Sequence, residues 1–328
     1  MPLERTIEGL RPAGGAHAAT PAVSVVIPVF NEAAGLSRLH ARLRAVLDAL
    51  NRSAEVIYVD DGSTDRSLAE LLAIQATDDR VTVVSFARNA GQHAAVLAGF
   101  AHSRGNVVIT LDADLQNPPE EIPRLLAAVD EGHDVVGTWR EGRADPAIRR
   151  VVSSTISWLI SRSVGVEIRD CGSMLRAYRR EIVDHVVRTA ERAPFIPVLA
   201  ASVAREPIDI ASRHEPRLSG RSRYSLLRFM RLGFDVMTGF SMIPIQLVSL
   251  VGIAVALLGM GFGLFLFVRR LIVGPESEGV FTLFAILFVF IGFLIFAVGM
   301  VGEYVGRIYL EVRGRPPYLV RGVYRPKD

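Results

Sequence analysis

Hydrophobic and polar positions divide the chain into two regimes. Over residues 23–138 five short runs rich in β-branched residues, VSVVIPV (23–29), EVIYV (55–59), VTVVSF (81–86), VVITL (107–111) and DVVGT (134–138), alternate with helix-compatible stretches. Such alternation predicts an α/β fold, a Rossmann-like, mostly parallel sheet with helices on both faces. Beyond residue 243 the pattern changes. Residues 244–268 and 280–302 contain no charged side chain, and each run exceeds the roughly 20 residues that cross a bilayer as a helix. Residues 269–279, with Pro275 and two glycines, are read as the turn of a C-terminal two-helix transmembrane hairpin. Two further stretches have amphipathic spacing. Residues 148–162 fit an interfacial helix and equally one packed on its own domain, whereas residues 226–237 run on into the first apolar stretch and are read as interfacial.

Composition and charge narrow the picture. With 328 residues the chain suits roughly two structural units, and 50% hydrophobic residues with a mean hydropathy of +0.32 exclude an ordinary cytosolic enzyme. The formal charge of +3 is carried almost wholly by arginine, Lys327 being the only lysine, and no basic stretch interleaved with aromatics points to nucleic acid. Arginines 217, 221, 223, 228 and 231 precede the first apolar run, and 307, 313, 315, 321 and 325 with Lys327 follow the second, against Arg269 and Arg270 between them. That asymmetry predicts cytoplasmic ends and a cytoplasmic soluble domain. The single cysteine, Cys171, excludes an intrachain disulfide, fits a reducing compartment and leaves no Cys/His cluster for zinc. The expected organisation is a flexible tail (1–21), a catalytic domain (22–225), an interfacial amphipathic helix (226–243), the hairpin (244–302) and a cytoplasmic tail (303–328).

In parallel α/β sheets ligands bind beyond the carboxyl ends of the strands, so the residues after each apolar run carry the candidate chemistry. These are Pro28, Asn31 and Glu32, then Asp60, Asp61 and Ser63, then Arg88 and Asn89, then Asp112 and Asp114. No G-x-G-x-x-G follows the first run, which argues against a dinucleotide-dependent dehydrogenase. Asp112 and Asp114 share one side if Ala113 continues the strand, and two hard carboxylates suit Mg²⁺ or Mn²⁺ with a diphosphate completing the shell. Asp60 and Asp61 also fit caps for a helix starting near Ser63.

The segments V-I-P-V-F-N-E, V-D-D-G-S-T-D, R-N-A-G-Q-H-A-A and L-D-A-D-L-Q-N-P-P-E-E, in this order, resemble the GT-A glycosyltransferases of family 2. With the C-terminal hairpin, the resemblance narrows to polyisoprenyl-phosphate glycosyltransferases. The segments D-C-G-S-M-L-R-A-Y-R-R-E-I-V-D, F-I-P-V-L-A and G-E-Y-V-G-R-I-Y-L-E-V-R are most similar to the members that transfer 4-deoxy-4-formamido-L-arabinose to undecaprenyl phosphate.

This resemblance implies a GT-A domain and a metal-dependent inverting transfer from a UDP-sugar to a lipid phosphate at the inner membrane leaflet, serving lipid A or envelope modification. It places Pro28, Asn31, Glu32 and Asp61 on the uridine, with Asp112 and Asp114 on the metal and Gln116 near the metal or diphosphate. Arg217, Arg221, Ser222, Arg223 and Tyr224 fall in a segment like R-x-x-G-x-S-K-Y that closes over the phosphates, with Arg223 where Lys is usual, a change that keeps charge but alters geometry. Glucosyl-transferring relatives have an Asp where this chain has Ser173, while Asp170 remains. Asp114, Asp170 and Arg176 are therefore the expected catalytic residues. Asp170 would position or weakly deprotonate the acceptor and Arg176 would contact phosphate, with a structural ion pair as the alternative for both. His93 is expected near the sugar or phosphate or merely at the surface, and Cys171 is expected to pack. Glucosyl or hexosyl transfer to the same carrier is the runner-up, and a non-catalytic lipid-carrier partner is the competing class. By resemblance a homo-tetramer is expected.

Overall fold

The computed structural model describes residues 20–140, 173–189, 195–212, 243–273, 280–312 and 316–326. They form two compact units: one holds the sheet, and the other, within Met230–Gly314, holds the two apolar helices.

The first unit is built on an eight-stranded sheet of order β7-β5-β6-β4-β1-β2-β3-β8. Its strands are β1 (Val23–Val29), β2 (Ala54–Asp60), β3 (Val81–Phe86), β4 (Val107–Thr110), β5 (Val135–Arg140), β6 (Arg176–Arg179), β7 (Pro207–Ser212) and β8 (Val320–Tyr324). The central strands β4, β1, β2 and β3 are parallel, as the alternation predicts, while β6 and β8 run antiparallel to their neighbours. Every residue of β1 is buried, which is what a strand covered on both faces requires. Helices α1 (Ala33–Ala49), α2 (Ser67–Gln75) and α4 (Ile122–Asp130) pack on one face through Leu36, Leu39, Leu43, Leu71 and Leu125. Helices α3 (Gln92–His102), α5 (Arg180–Thr189) and α6 (Ile196–Val203) cover the other, around Phe100, Tyr178 and Val183. Gly99 lets α3 close on β1, because a Cβ there would collide with the Val26 side chain.

The chain adds β2 and β3 on one side of β1 and then crosses to place β4 on the other, so the strand order reverses at β1/β4. Pairing of β1 with β4 stops at Val26 and Thr110, whereas pairing with β2 continues to Val29. Pro28 is tolerated in this central strand because its missing N–H falls on the β4 side, where β4 has already diverged. A crevice therefore opens at the carboxyl end of β1, the place where open α/β sheets bind ligands.

One expectation about the termini is corrected. Residues 303–328 do not form only a tail: helix continues to Val312, and Val320–Tyr324 returns to the sheet as the edge strand β8 beside β3.

The second unit contains α7 (Ile243–Val273) and α8 (Val280–Val312). Both outrun the expected spans. Helix α7 passes through Arg269 and Arg270, which are good helix formers, and stops only before Gly274-Pro275. Segments Ile245–Arg269 and Ile286–Gly306 are long and apolar enough to cross a membrane. Leu258 is 73% exposed and Ile272 78%, a surface too apolar and continuous for water. Gly259 faces Phe290 and Gly252 faces Phe293, so small residues let the two helices approach.

Three histidines of the first unit, His40, His93 and His102, have pKa values lowered chiefly by burial, His93 to about 4. Unfolded, each would take up a proton near pH 6.5, while the folded chain resists until lower pH. The stability involved is present above 6.5 and lost as pH falls, for His93 down to about 4. His93 alone is expected to cost about 2 kcal/mol between pH 7.5 and 5.0. Melting in detergent should fall over that interval, and should fall less in His93→Leu.

Candidate active site

Four loops meet at the carboxyl ends of β1 to β4. Beyond β1, Asn31 adopts φ +57°, a left-handed conformation that Asn tolerates. Its side-chain Oδ1 accepts from the Thr64 amide at 2.8 Å and the Asp65 amide at 3.3 Å, and its own N–H donates to Ser63 Oγ at 3.1 Å. The Glu32 amide donates to Ser67 Oγ at 2.9 Å. The N-E and D-G-S-T-D loops are thus latched together, and the side-chain oxygen expected on the uridine instead organises the loop entering α2. Pro28, also expected there, is buried within β1.

The two aspartates after β2 have different roles. Asp60 is 2% exposed, and its carboxylate accepts from the Ser63 amide at 3.1 Å and from Ser85 Oγ at 3.0 Å; it closes the turn after β2 and caps no helix, since α2 begins only at Ser67 without a side-chain cap. Asp61 is drawn into the loop after β3. Its carboxylate accepts from Asn89 Nδ2 at 2.9 Å, the Ala90 amide at 2.6 Å and the Gly91 amide at 3.0 Å. Burial raises its pKa, opposed by the two amides. A carboxylate has about four acceptor positions, so three bonds leave room for a further donor. Between the loops sits Gly62, at φ +66°, where a Cβ would lie 2.5 Å from the Arg88 carbonyl carbon.

The D-A-D-L-Q segment follows β4, which ends at Thr110. Although the strand is over, alternation persists: Ala113 and Leu115 are 5% and 2% exposed and enter the core, while Asp112, Asp114 and Gln116 stay partly exposed. Both carboxylates are thus partly exposed, although Ala113 does not continue the strand but lies in a turn. Leu115 holds φ +61°, an uncommon state for a bulky residue that costs of order 1–3 kcal/mol and clusters at functional sites. Asp112 is fixed at both oxygens, by Gln92 Nε2 at 2.7 Å and Asn117 Nδ2 at 3.0 Å. Asp114 Oδ1 accepts the Gln116 amide at 3.1 Å. Among the described residues no third His, Cys, Asp or Glu completes a metal-binding group with them. Two fixed hard carboxylates on an open edge match a Mg²⁺- or Mn²⁺-type ion, which keeps few protein ligands and takes the rest from phosphate and water. Asn89, one of the residues read after the third run, joins the site through Asp61. Gln92 and Asn117 are site residues that motif reading passed over; their signals were the Gln of G-Q-H and the Asn of Q-N-P-P.

Arg176 differs from expectation. It is 2% exposed in β6, its Nε donates to the Ser173 carbonyl at 3.1 Å, and its Nη1 lies 3.6 Å from Asp209 Oδ1. The pair crosses the face of Gly137, where a Cβ would strike both partners. The ion-pair alternative is thus realised, and the guanidinium does not face solvent as a phosphate contact requires. Asp209→Ala, which removes the carboxylate facing a buried cation, is expected to cost about 3–5 kcal/mol, read as a fall in melting temperature, with Arg176→Met costing less. A surface phosphate contact would instead leave melting unchanged and raise KM for the acceptor. Ser173 is 1% exposed with its hydroxyl 2.7 Å from Thr138 Oγ1, so that position presents no base to the crevice. His93 opens α3 with its ring edge-on to Phe195 at 4.8 Å, and a pKa near 4 keeps it neutral. Asp170, Cys171, Arg217, Arg221, Ser222, Arg223 and Tyr224 lie outside the described residues, as do the amphipathic stretches 148–162 and 226–237.

Comparison with known proteins matches this architecture. Residues 24–187 match the family model described as glycosyl transferase family 2. Over 307 residues the chain is 49% identical to the undecaprenyl-phosphate 4-deoxy-4-formamido-L-arabinose transferase of Edwardsiella ictaluri, covering 92% of this chain and 94% of that one. It is likewise 49% identical to the Klebsiella pneumoniae protein of the same name, covering 93% and 94%. In fold the chain is similar to glucosyl-3-phosphoglycerate synthase from Mycobacterium tuberculosis, solved with Mn²⁺, UDP and phosphoglyceric acid, at a TM-score of 0.50 and 21% identity over 66% of this chain and 76% of that one. The mostly parallel sheet, the carboxylates at its switch point and the near-full-length identity converge: the chain is a glycosyltransferase enzyme and belongs to glycosyl transferase family 2.

Proposed function

We propose that the chain transfers 4-deoxy-4-formamido-L-arabinose from a UDP donor to undecaprenyl phosphate at the inner face of a bacterial plasma membrane. The observation that carries this reading is the 49% identity spread over 92% of the chain, membrane helices included, to transferases named for that sugar and carrier. Lipid A or envelope modification is the setting, with a homo-oligomer as the working assembly.

The nucleotide occupies the crevice between the Asp61 loop and the D-x-D segment. Asp61, 3% exposed, serves the nucleotide pocket by fixing residues 89–91 as its wall. Asn31 and Glu32 shape the pocket wall. Asp112, Asp114 and Gln116 would hold Mg²⁺ or Mn²⁺, which when bound neutralises charge on the departing diphosphate. Arg217, Ser222 and Arg223 close over the phosphates, and Asp170 orients the acceptor. A lipid phosphomonoester with a second pKa near ~6 is already an anion at neutral pH, so the protein needs no strong base. Its task is to align the phosphate oxygen with the anomeric carbon opposite the leaving diphosphate, so that one displacement inverts the centre. The apolar helices keep the enzyme in the membrane that holds the acceptor.

The sugar assignment is tested by turnover of UDP-4-deoxy-4-formamido-L-arabinose against UDP-glucose with the same acceptor. The formamido sugar is expected to give the higher kcat/KM by at least about tenfold, the scale of one well-made polar contact. Equal or reversed preference would move the chain to hexosyl transfer.

A further inference from the structure

The loop that wraps Asp61 is held from two sides. Inside, the Asp61 carboxylate takes the Ala90 and Gly91 amides and the Asn89 side chain. Outside, the hold comes from the far end of the sequence. The Ala87 amide donates to the Leu319 carbonyl at 2.9 Å. The Tyr318 ring lies flat on Phe86, centroids 4.8 Å apart and planes 5° from parallel. Residues 320–324 then pair antiparallel with β3, with a register shift between Ser85 and Phe86. Such irregularities re-aim the chain that follows, which here is the donor loop. Phe86 itself is 2% exposed, so the stack anchors to the core.

We infer that the segment from Tyr318 through β8 is the outer brace of the nucleotide loop, and that Tyr318 is a positioning residue for the donor. This deepens the proposed function and rests on its placing of the nucleotide at Asp61. Residues 87–91 have no regular secondary structure of their own, so their position is set by what grips them. Asp61 can orient the loop only where β3 delivers it, and the brace fixes that delivery point. In sequence, the brace is separated from the end of the second apolar helix at Val312 by residues 313–317. Its side chains contribute by stacking, not by touching substrate.

The test uses the full-length protein in lipid nanodiscs, with Tyr318→Ala, Tyr318→Leu, Tyr318→Phe and, as a control on the same strand, the exposed Arg321→Ala. Amide hydrogen exchange at residues 87–91 is followed beside UDP affinity by calorimetry with Mn²⁺ and a KM/kcat split for the donor. In Tyr318→Ala exchange at 87–91 should quicken, and UDP Kd and donor KM should rise roughly three- to tenfold, the reach of one aromatic stack, with kcat at saturating donor kept. Tyr318→Leu should show the same change at smaller amplitude, and Tyr318→Phe and Arg321→Ala should match the parent. Unchanged exchange and UDP affinity in Tyr318→Ala, with the parent binding UDP, would overturn the brace alone. Faster exchange in a protein whose parent does not bind UDP would overturn the donor reading and the inference with it.

Discussion

Asp114→Asn should lower kcat/KM by roughly 10²- to 10³-fold while leaving the melting temperature within a degree or two of the parent, the scale seen when one group stabilising transition-state charge is removed. The side chain is partly exposed and follows the end of β4, so little packing is lost when its charge is removed. The substitution keeps the shape and an oxygen that accepts the Gln116 amide, which isolates the charge as the variable. Raising Mn²⁺ should recover part of the loss. The check is steady-state transfer at several Mn²⁺ concentrations beside a melting curve. An Asp114→Asn enzyme at parental activity would remove the D-x-D pair from the chemistry.

Gly62→Ala should damage the donor site by a purely steric route. The residue sits at φ +66°, so an alanine carries a left-handed penalty of about 1–2 kcal/mol. The larger effect is that its Cβ would lie 2.5 Å from the Arg88 carbonyl carbon and 2.7 Å from the Asn89 nitrogen. Backbone cannot rotate away, so the loop must move, taking with it the Ala90 and Gly91 amides that Asp61 holds. Donor KM and UDP Kd should rise at least about tenfold, equivalent to about 1.4 kcal/mol. Acceptor KM should stay constant. Gly132→Ala supplies the control: φ is +118° and nothing lies within 4 Å, so only conformational cost remains and donor affinity should not change.

How much of this was legible in the sequence follows from the physics of each element. The five runs from β1 to β5 were readable because strands buried on both faces are written as unbroken β-branched apolar stretches. The carboxylates gathered at one edge because parallel strands bring their carboxyl ends together, and Asp112 and Asp114 stay partly exposed there while Ala113 and Leu115 turn inward. Strand β6, reading R-A-Y-R, was hidden because its first arginine is buried against Asp209, a pairing made across the sheet and invisible locally. Strand β8 carries arginine and glycine, and its partner β3 lies more than two hundred residues earlier, across the two apolar helices. Asn31 and Asp60 carried family motifs, yet the motif does not say whether an oxygen faces a ligand or caps a loop. The geometry assigns Asn31 Oδ1 to Thr64 and Asp65, and Asp60 to Ser63 and Ser85.

The most direct test of the central reading follows a radiolabelled sugar. Purified full-length protein in nanodiscs is given labelled UDP-4-deoxy-4-formamido-L-arabinose and Mn²⁺, with and without undecaprenyl phosphate, and the label is partitioned between water and organic solvent. The reading requires label in the organic phase only when the lipid phosphate is present, with UDP released in equal amount. Label that stays in water with the acceptor present, or sugar released to water at the same rate without it, would contradict transfer to the lipid carrier.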